Sequence, residues 1–192
     1  MHPQPMDSVI VLQTERLSLR RMSLDDAEFI VELLNDPAFL RFIGDKGVRT
    51  PDDARHYIST GPVDSYARHG FGLWVVEPRG SGRAMGICGL LKRETLDDVD
   101  IGFAFLPRYR SQGFAFESAA AVMDYARNVL GLQRIVAITN DDNAGSQRVL
   151  EKIGMGFARM MQLSGDGPEI RLMASDVSGA PAPRPFPGSP AC

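Results

Sequence analysis

The sequence predicts a mixed α+β fold built around a single sheet. Three strand-like segments, at 71–77, 84–91 and 100–106, follow one another through short connections, which favours an antiparallel meander. A long amphipathic segment then leads to another strand, and a strand–helix–strand step of this kind implies one parallel crossing. With 192 residues, 44% of them hydrophobic, the chain can bury a full core as one domain.

The N-terminal part is predicted to contain one strand and two helices. Leucines alternate with polar residues in the segment 9–22, which is typical of a strand. Ser23, followed by aspartates in the next turn, has the pattern of a helix cap. Thr50, followed by proline and two aspartates, starts a second helix that should end at about residue 59. A short apolar piece at 39–43 lies between the two helices.

The C-terminal part is predicted to contain two helices and three strands. Apolar residues recur at helical spacing from 114 to about 130, which indicates an amphipathic helix. A later helix is capped by Asn143 or Asp142 and ends at Gly154. The strands of this part lie at 134–139 and near 157–163 and 169–174, and they bring the predicted sheet to seven strands.

Composition argues against several classes of function. The net charge of −3 gives no support to nucleic-acid binding or to an anionic membrane surface as partner. No apolar stretch approaches the roughly 20 residues of a membrane span, and no signal peptide is recognisable. The cysteines and histidines form no metal-binding pattern, so we expect no metal and a cytoplasmic location. We place one domain at 1–175 and expect the Pro/Gly/Ala-rich tail at 176–192 to be disordered.

The segment 106–116, LPRYRSQGFAF, has the layout of an anion site. It ends a strand and opens a helix, whose first N–H groups and dipole attract negative charge. Gly113 and Ala115 leave room for a phosphate, while Arg108 and Arg110 add positive charge. The alternative is an ordinary strand-to-helix turn. Dinucleotide-binding and P-loop patterns are absent from the segment.

Three motifs resemble those of the GNAT superfamily of acetyl-coenzyme A-dependent N-acetyltransferases, and its ribosomal-protein N-terminal acetyltransferase branch in particular. Residues 110–115, RSQGFA, are similar to the Arg/Gln-x-x-Gly-x-Gly/Ala motif that opens a helix after a strand. Residues 143–154, NAGSQRVLEKIG, are similar to the family's pattern in a later helix, where Asn, Ser, Leu, Lys and Gly follow one another in this order. Residues 14–20, TERLSLR, resemble the first strand of that branch. The first two of these motifs occur in the right order and on the predicted elements, which makes the resemblance specific.

The resemblance implies acetyl-coenzyme A as cosubstrate. A mixed, mostly antiparallel seven-stranded sheet flanked by helices would splay at its parallel strand pair, and the pantetheine arm would lie in the gap like an added strand. The implied cofactor-binding groups are the backbones of Phe103 and Phe105, the N–H groups of Arg110, Ser111, Gln112, Gly113, Phe114 and Ala115 at the pyrophosphate, and Asn143 at the pantetheine arm. Ser111 stands where the family often has glycine, which is tolerable if its φ is negative.

The resemblance also provides two candidates for proton transfer. Asp100, where relatives often have glutamate, could accept the proton of the attacking amine, although it could equally be a solvated edge acid. Ser146 would lie near the thioester sulfur, with a small packing residue as the alternative. Phe157 occupies a region where some relatives have a tyrosine. Unlike tyrosine, phenylalanine cannot donate a proton. Cys88 lies in a strand predicted to be buried, which argues against an acylated nucleophile.

The acyl acceptor is expected to be a primary amine, either a protein N-terminus or a small molecule, and a homodimer is left open. Phe39, Phe42 and Trp74, with Phe71, either wall the acceptor pocket or belong to the core. The predicted function is transfer of acetyl from acetyl-coenzyme A to that amine by direct attack in a ternary complex. A different class stays open, namely a non-catalytic module that binds and senses acyl-coenzyme A.

Overall fold

One sheet of eight strands organises the computed structural model, which describes residues 9–163, 165 and 167–175. The strands are β1 (Ile10–Gln13), β2 (Leu17–Arg21), β3 (Leu73–Pro78), β4 (Gly86–Leu91), β5 (Val99–Phe105), β6 (Ile135–Thr139), β7 (Gly156–Gln162) and β8 (Glu169–Ala174). Their order across the sheet is β1-β2-β3-β4-β5-β6-β8-β7. All neighbouring strands are antiparallel except β5 and β6, which confirms the mixed, mostly antiparallel sheet. The tail predicted at 176–192 lies outside the described residues.

The sheet has one strand more than predicted because the segment 9–22 folds back on itself. The Thr14 N–H donates to the Leu17 carbonyl at 2.9 Å, which closes a tight turn between β1 and β2. Ile10 then lies opposite Arg20, and Gln13 opposite Ser18. Alternating leucines are compatible with one long strand or with two short ones, so the pattern alone did not reveal the turn.

Six α-helices accompany the strands in the described part of the chain. They are α1 (Ala27–Leu34), α2 (Pro37–Phe42), α3 (Pro51–Ile58), α4 (Asp64–His69), α5 (Phe114–Asn128) and α6 (Ala144–Lys152). Thr50 caps α3 as predicted, with its hydroxyl accepting from the Asp53 N–H at 3.2 Å. The piece at 39–43, predicted only as apolar, lies mostly within α2. Helix α4 was also not predicted, and it continues α3 through a π-helical turn that contains Pro62.

The two faces of the sheet are covered by different helices. Trp74 in β3 is buried with Met123 of α5 on one face, whereas the next residue, Val75, is buried with Ile30 and Ile58 on the other. This alternation is the period of two expected of a strand that is covered on both sides. Full burial of each such side chain stabilises the fold by about 1.5–3 kcal/mol. Helices therefore cover β3 on both faces of the sheet.

The parallel strands β5 and β6 pair only where they begin. Val99 lies opposite Ile135 and Asp100 opposite Val136, and no further pairs follow along either strand. The Leu106 N–H donates to the Met85 carbonyl at 3.0 Å, so the Leu106 backbone faces β4. Because backbone groups alternate in direction along a strand, those of Phe103 and Phe105 face the gap that opens beyond Asp100. The predicted splay at the parallel pair is therefore confirmed.

Candidate active site

A cavity of about 1070 Å³ occupies the gap between β5 and β6. Its walls are formed by both strands, by α2, by the loop before α5 and by the first turns of α6. The residues predicted for the site that line it are Phe39, Phe42, Asp100, Phe103, Phe105, Arg110, Ser111, Gly113, Ala115, Asn143 and Ser146. One continuous cavity thus brings together residues from the two separate sequence motifs.

The loop before α5 presents a row of free backbone donors at the open end of the gap. In the described part of the chain, the N–H groups of residues 111–115 have no hydrogen-bond acceptor, and the first intrahelical bond runs from Glu117 N to Gly113 O at 3.0 Å. Gly113 caps the helix with φ +84°, a conformation that glycine adopts without steric cost. Consecutive free N–H groups at a helix N-terminus form an anion site.

Ser111 has a left-handed backbone, with φ +60°. The condition of a negative φ, under which serine could replace the family's glycine, is therefore not met. A left-handed conformation costs a non-glycine residue about 1–2 kcal/mol. The loop stores this strain next to Gly113, as is common where a backbone is shaped for a ligand.

Arg108 and Arg110 do not provide free charge to the anion site, contrary to the prediction. Arg108 pairs with Glu32 at 2.6 Å, and the Arg110 guanidinium contacts the Asp36 carboxylate. Arg110 also donates through Nε to the Phe105 carbonyl at 2.8 Å, and its own N–H is already bonded to the Pro107 carbonyl at 3.2 Å. The predicted role of the Arg110 N–H at a pyrophosphate is therefore wrong. Its side chain instead ties the loop to the end of β5 and to the start of α2.

Arg16 fixes the same loop from the other side. The resemblance included its position in the motif at 14–20 but gave it no role. Its Nη1 donates to the Gln112 carbonyl at 3.3 Å, and its guanidinium lies 4.6 Å from the ring centre of Phe114. Its Nε and Nη2 both lie 2.6 Å from Glu117 Oε2. Glu117 also accepts from the Thr14 hydroxyl at 2.5 Å. Burial raises the pKa of Glu117, but these hydrogen bonds outweigh it and the net pKa lies below its usual range.

Asp100 lies at the closed end of the gap and is not a solvated edge acid. Its side chain is 1% exposed, and Arg93 Nε lies 3.1 Å and 3.0 Å from its two oxygens. Burial raises the pKa of Asp100, and the neighbouring guanidinium only partly opposes this shift. A carboxylate inside a cavity whose pKa is raised by burial has the properties of a proton acceptor.

Asn143 and Ser146 line the cavity from α6. Asn143 caps this helix, since its Oδ1 accepts from the Ser146 N–H at 3.1 Å. No described residue is bonded to the Asn143 amide nitrogen or to the Ser146 hydroxyl. Both polar groups therefore remain available to a ligand while the cap is intact.

The aromatic residues predicted for the acceptor pocket divide into two groups. Phe39 and Phe42 line the cavity from α2. Trp74 does not line it, because it is 1% exposed within the core and packs edge-on against Tyr125 with ring centres 5.6 Å apart. Phe71 likewise belongs to the core. The prediction that Trp74 contacts substrate is therefore wrong, and its core alternative is the correct one.

Two further residues take no part in the cavity. Cys88 is fully buried, and burial raises the pKa of its thiol to about 12, which makes it unsuited to nucleophilic attack. Phe157 is on the surface, and the guanidinium of Arg171 lies 5.0 Å from the centre of its ring.

In the part of the chain that the structure describes, none of the helices has the length and apolar character needed to cross a membrane.

Comparison with known proteins agrees with this geometry. Residues 16–156 match the family described as acetyltransferase (GNAT) domain. The chain is 30% identical to the uncharacterized N-acetyltransferase YoaA of Bacillus subtilis over 145 residues, which cover 75% of this chain and 81% of that protein.

Solved structures of similar fold are also found. A GNAT-family acetyltransferase from Bacillus anthracis is 27% identical with a TM-score of 0.69, covering 85% of this chain and 96% of the other. An acetyltransferase from Agrobacterium tumefaciens is 21% identical with a TM-score of 0.74, and the match covers 91% of this chain and 98% of the other. At that lower identity the likeness concerns the fold alone. The family match and the sequence relatives together show that the chain belongs to the GNAT acetyltransferases and is an acetyl-coenzyme A-dependent acyltransferase.

Proposed function

We propose that this protein transfers acetyl from acetyl-coenzyme A to a primary amine by direct attack within a ternary complex. The observation that carries the proposal is the continuity of the cavity. It joins the free N–H groups of residues 111–115 at one end to the buried Asp100 carboxylate at the other. An anion site and a proton acceptor at opposite ends of one gap suit a phosphorylated acyl donor and an amine.

The described residues fit acetyl-coenzyme A along the whole gap. The N–H groups of 111–115 would accept the pyrophosphate, and Gly113 has no side chain to obstruct it. The gap-facing backbones of Phe103 and Phe105 would pair with the amides of the pantetheine arm, as in strand addition to a sheet edge. The amide nitrogen of Asn143, which no described residue bonds, would donate to the same arm. This arrangement would bring the thioester towards the closed end, where Asp100 lies.

The reaction requires one bond to form and one to break. The amine nitrogen forms a bond to the thioester carbonyl carbon, the carbon–sulfur bond breaks, and the sulfur leaves as a thiolate. Asp100 accepts the proton lost by the nitrogen, directly or through a water molecule. The thiolate takes a proton from Ser146 or from water, and Ser146 then recovers its proton from solvent. With a thiol pKa of about 8.5, the thiolate is a fair leaving group that needs only modest help.

Most of the rate enhancement would come from positioning the two reactants. Orientation of bound reactants can remove up to about 7–11 kcal/mol of an activation barrier. Phe39 and Phe42 of α2 form an apolar wall against which an amine substrate could pack. Such a wall also excludes water from the thioester and thereby limits its hydrolysis.

The test is a thiol-release assay with acetyl-coenzyme A across a panel of amines, with mass spectrometry to detect the acetylated product. We expect release that depends on the amine and a product heavier by one acetyl group. Acetyl-coenzyme A should also raise the melting temperature, because a ligand of the native state stabilises it, whereas NAD should do so far less. Tight binding without turnover of any amine would instead favour the acyl-coenzyme A sensor. An equal melting shift with NAD would contradict the cofactor assignment.

A further inference from the structure

The closed end of the gap contains more positive than negative charge among the described residues that line it. Asp100 is the acidic residue at this end, and Arg93 donates to both of its oxygens, so the two charges compensate each other. Lys46 also lines the cavity and lies close enough to Arg93 for the guanidinium to act on it. The described residues that line the closed end therefore have a net positive charge, although the whole chain has a net charge of −3.

Lys46 has no acidic partner of its own in the described part of the chain. Its neighbour Asp45 is already paired with Arg49 at 2.5 Å. Lys46 is an exposed residue, but partial desolvation of its ammonium and the nearby Arg93 lower its pKa. An ammonium in this situation gains from an anionic group on a ligand.

The phosphates of the acyl donor are not the anion that Lys46 meets. The free N–H groups begin at residue 111, beyond the end of β5. Asp100 and Phe105 are both in β5, and at the usual rise of a strand the five residue steps between them span roughly 17 Å. Asp100 and its partner Arg93 lie where β5 and β6 still pair, and Lys46 lines the same cavity within electrostatic reach of Arg93. In the proposed reaction this is the end that would receive the acyl acceptor.

We propose that the acceptor carries a carboxylate close to its amine and that Lys46 recognises this carboxylate. The inference rests on the proposed function, because it concerns the second substrate of that reaction. The acceptor amine would lie beside Asp100 and its carboxylate beside Lys46. A free amino acid and a peptide whose N-terminal residue precedes an acidic residue share this chemistry. A polyamine would bring further positive charge to Lys46 and Arg93 and is disfavoured.

The first part of the test compares acceptors that differ in one charge. L-phenylalanine, its amide and phenethylamine form one set, the peptides Ser-Glu-Ala and Ser-Gln-Ala with amidated C-termini form a second, and spermidine is the polycation. Rates are compared at equal concentrations of neutral amine, because amidation or removal of the carboxylate changes the pKa of the amino group. We expect the acidic member of at least one set to have a kcat/KM about tenfold above its neutral partners, as for one charge-assisted hydrogen bond. The set in which the preference appears identifies a free amino acid or an acidic N-terminus as the source of the carboxylate.

The second part uses Lys46 variants. Lys46→Gln should abolish the preference, Lys46→Glu should reverse it, and Lys46→Arg should retain it. The surface variant Arg68→Gln is the control. Calorimetry of the same ligands on the protein saturated with coenzyme A should show the same order of affinities, and affinity for acetyl-coenzyme A itself should not change.

The two proposals fail in different ways. Equal use of acidic and neutral acceptors, better use of spermidine, or an unchanged preference in Lys46→Gln would overturn the role of Lys46 while amine acetylation stands. If no amine is acetylated, the proposed function fails. Calorimetry then decides the role of Lys46 alone: selective binding of the acidic ligands supports it, and equal binding overturns it.

Discussion

Arg16 and Glu117, 101 residues apart in the sequence, form an ion pair directly beneath the anion site, with Nη2 of Arg16 2.6 Å from Oε2 of Glu117. Glu117 is 5% exposed and belongs to the first turn of α5. An unbalanced carboxylate there would repel the phosphates that the helix N-terminus should attract. Arg16 cancels this charge and also contacts the loop at Gln112 and Phe114. We infer that it is a positioning residue for the acyl donor.

Arg16→Ala should weaken acetyl-coenzyme A binding by about tenfold or more, because it leaves a buried, uncompensated carboxylate next to the pyrophosphate. The double variant Arg16→Ala/Glu117→Gln should recover part of the affinity, since it removes that charge. In steady-state kinetics KM for the donor should rise much more than kcat falls. Arg68→Ala, which removes an exposed arginine elsewhere, is the control. Equal affinities for the single and double variants would show that charge at Glu117 is not the cause.

Glu117→Gln should lower the free energy of unfolding by about 2 kcal/mol at pH 7, because the carboxylate accepts charge-assisted hydrogen bonds from Arg16 and Thr14. The pKa of Glu117 in the folded protein lies below the ordinary value of 4.5. Its stabilising contribution is therefore present above that value and is lost as the pH falls through the lower, folded-state pKa. Urea titrations at stepwise lower pH should show the difference between variant and wild type shrinking. A difference that does not depend on pH would argue against an ionic role.

Ser111→Gly should stabilise the protein by up to about 1 kcal/mol, because glycine adopts φ +60° without strain and this gain exceeds its entropic cost. Donor affinity should be retained, since the N–H groups stay in place. Ser111→Val should have the opposite effect, because a β-branched residue is the least tolerated at positive φ. Thermal unfolding with and without acetyl-coenzyme A measures both effects. A lower melting temperature for Ser111→Gly would mean that the serine is not strained.

Asp100→Asn should reduce the rate about 100-fold or more near neutral pH, because the amide keeps the size of the side chain but cannot accept the proton. The loss should be greatest at low pH, where the amine is mostly protonated, and should diminish as neutral amine becomes abundant. The variant Arg93→Gln tests the same role in a second way, because Arg93 lowers the pKa of Asp100. Its removal should move the acidic limb of the pH–rate profile to higher pH. If Asp100→Asn works at the wild-type rate throughout, solvent is the proton acceptor.

The elements of the fold that follow from local patterns could be predicted, and so could most of the predicted site residues that line the cavity. The start of α5 at Phe114 depends on small residues at 113 and 115, and the cap of α6 depends on Asn143. Both helix starts can be predicted from a few neighbouring residues. Helix α4 was missed because Gly61 and Pro62 interrupt its approach with residues that usually end a helix.

Features that depend on distant contacts could not be predicted from local patterns. The partner of Arg110 is Asp36, 74 positions away, and the partner of Arg108 is Glu32, 76 positions away. Each arginine therefore looked like a free charge beside the loop. Trp74 looked equally suited to a pocket and to the core, since an aromatic side chain serves both, and only its packing against Tyr125 decides between them.

Calorimetry of the Gly113→Glu variant tests whether the backbone around Gly113 binds the phosphates of acetyl-coenzyme A. A Cβ at this position would lie 3.3 Å from Arg16 Nη2, and the new carboxylate would add both bulk and like charge at the proposed pyrophosphate site. Gly131→Glu is the matched control, because Gly131 has a similarly positive φ of +68° but nothing within 4 Å of its added Cβ. We expect Gly113→Glu to remain folded by circular dichroism and to lose measurable binding, while Gly131→Glu binds as the wild type does. Unchanged affinity in a folded Gly113→Glu variant would show that the phosphates bind elsewhere.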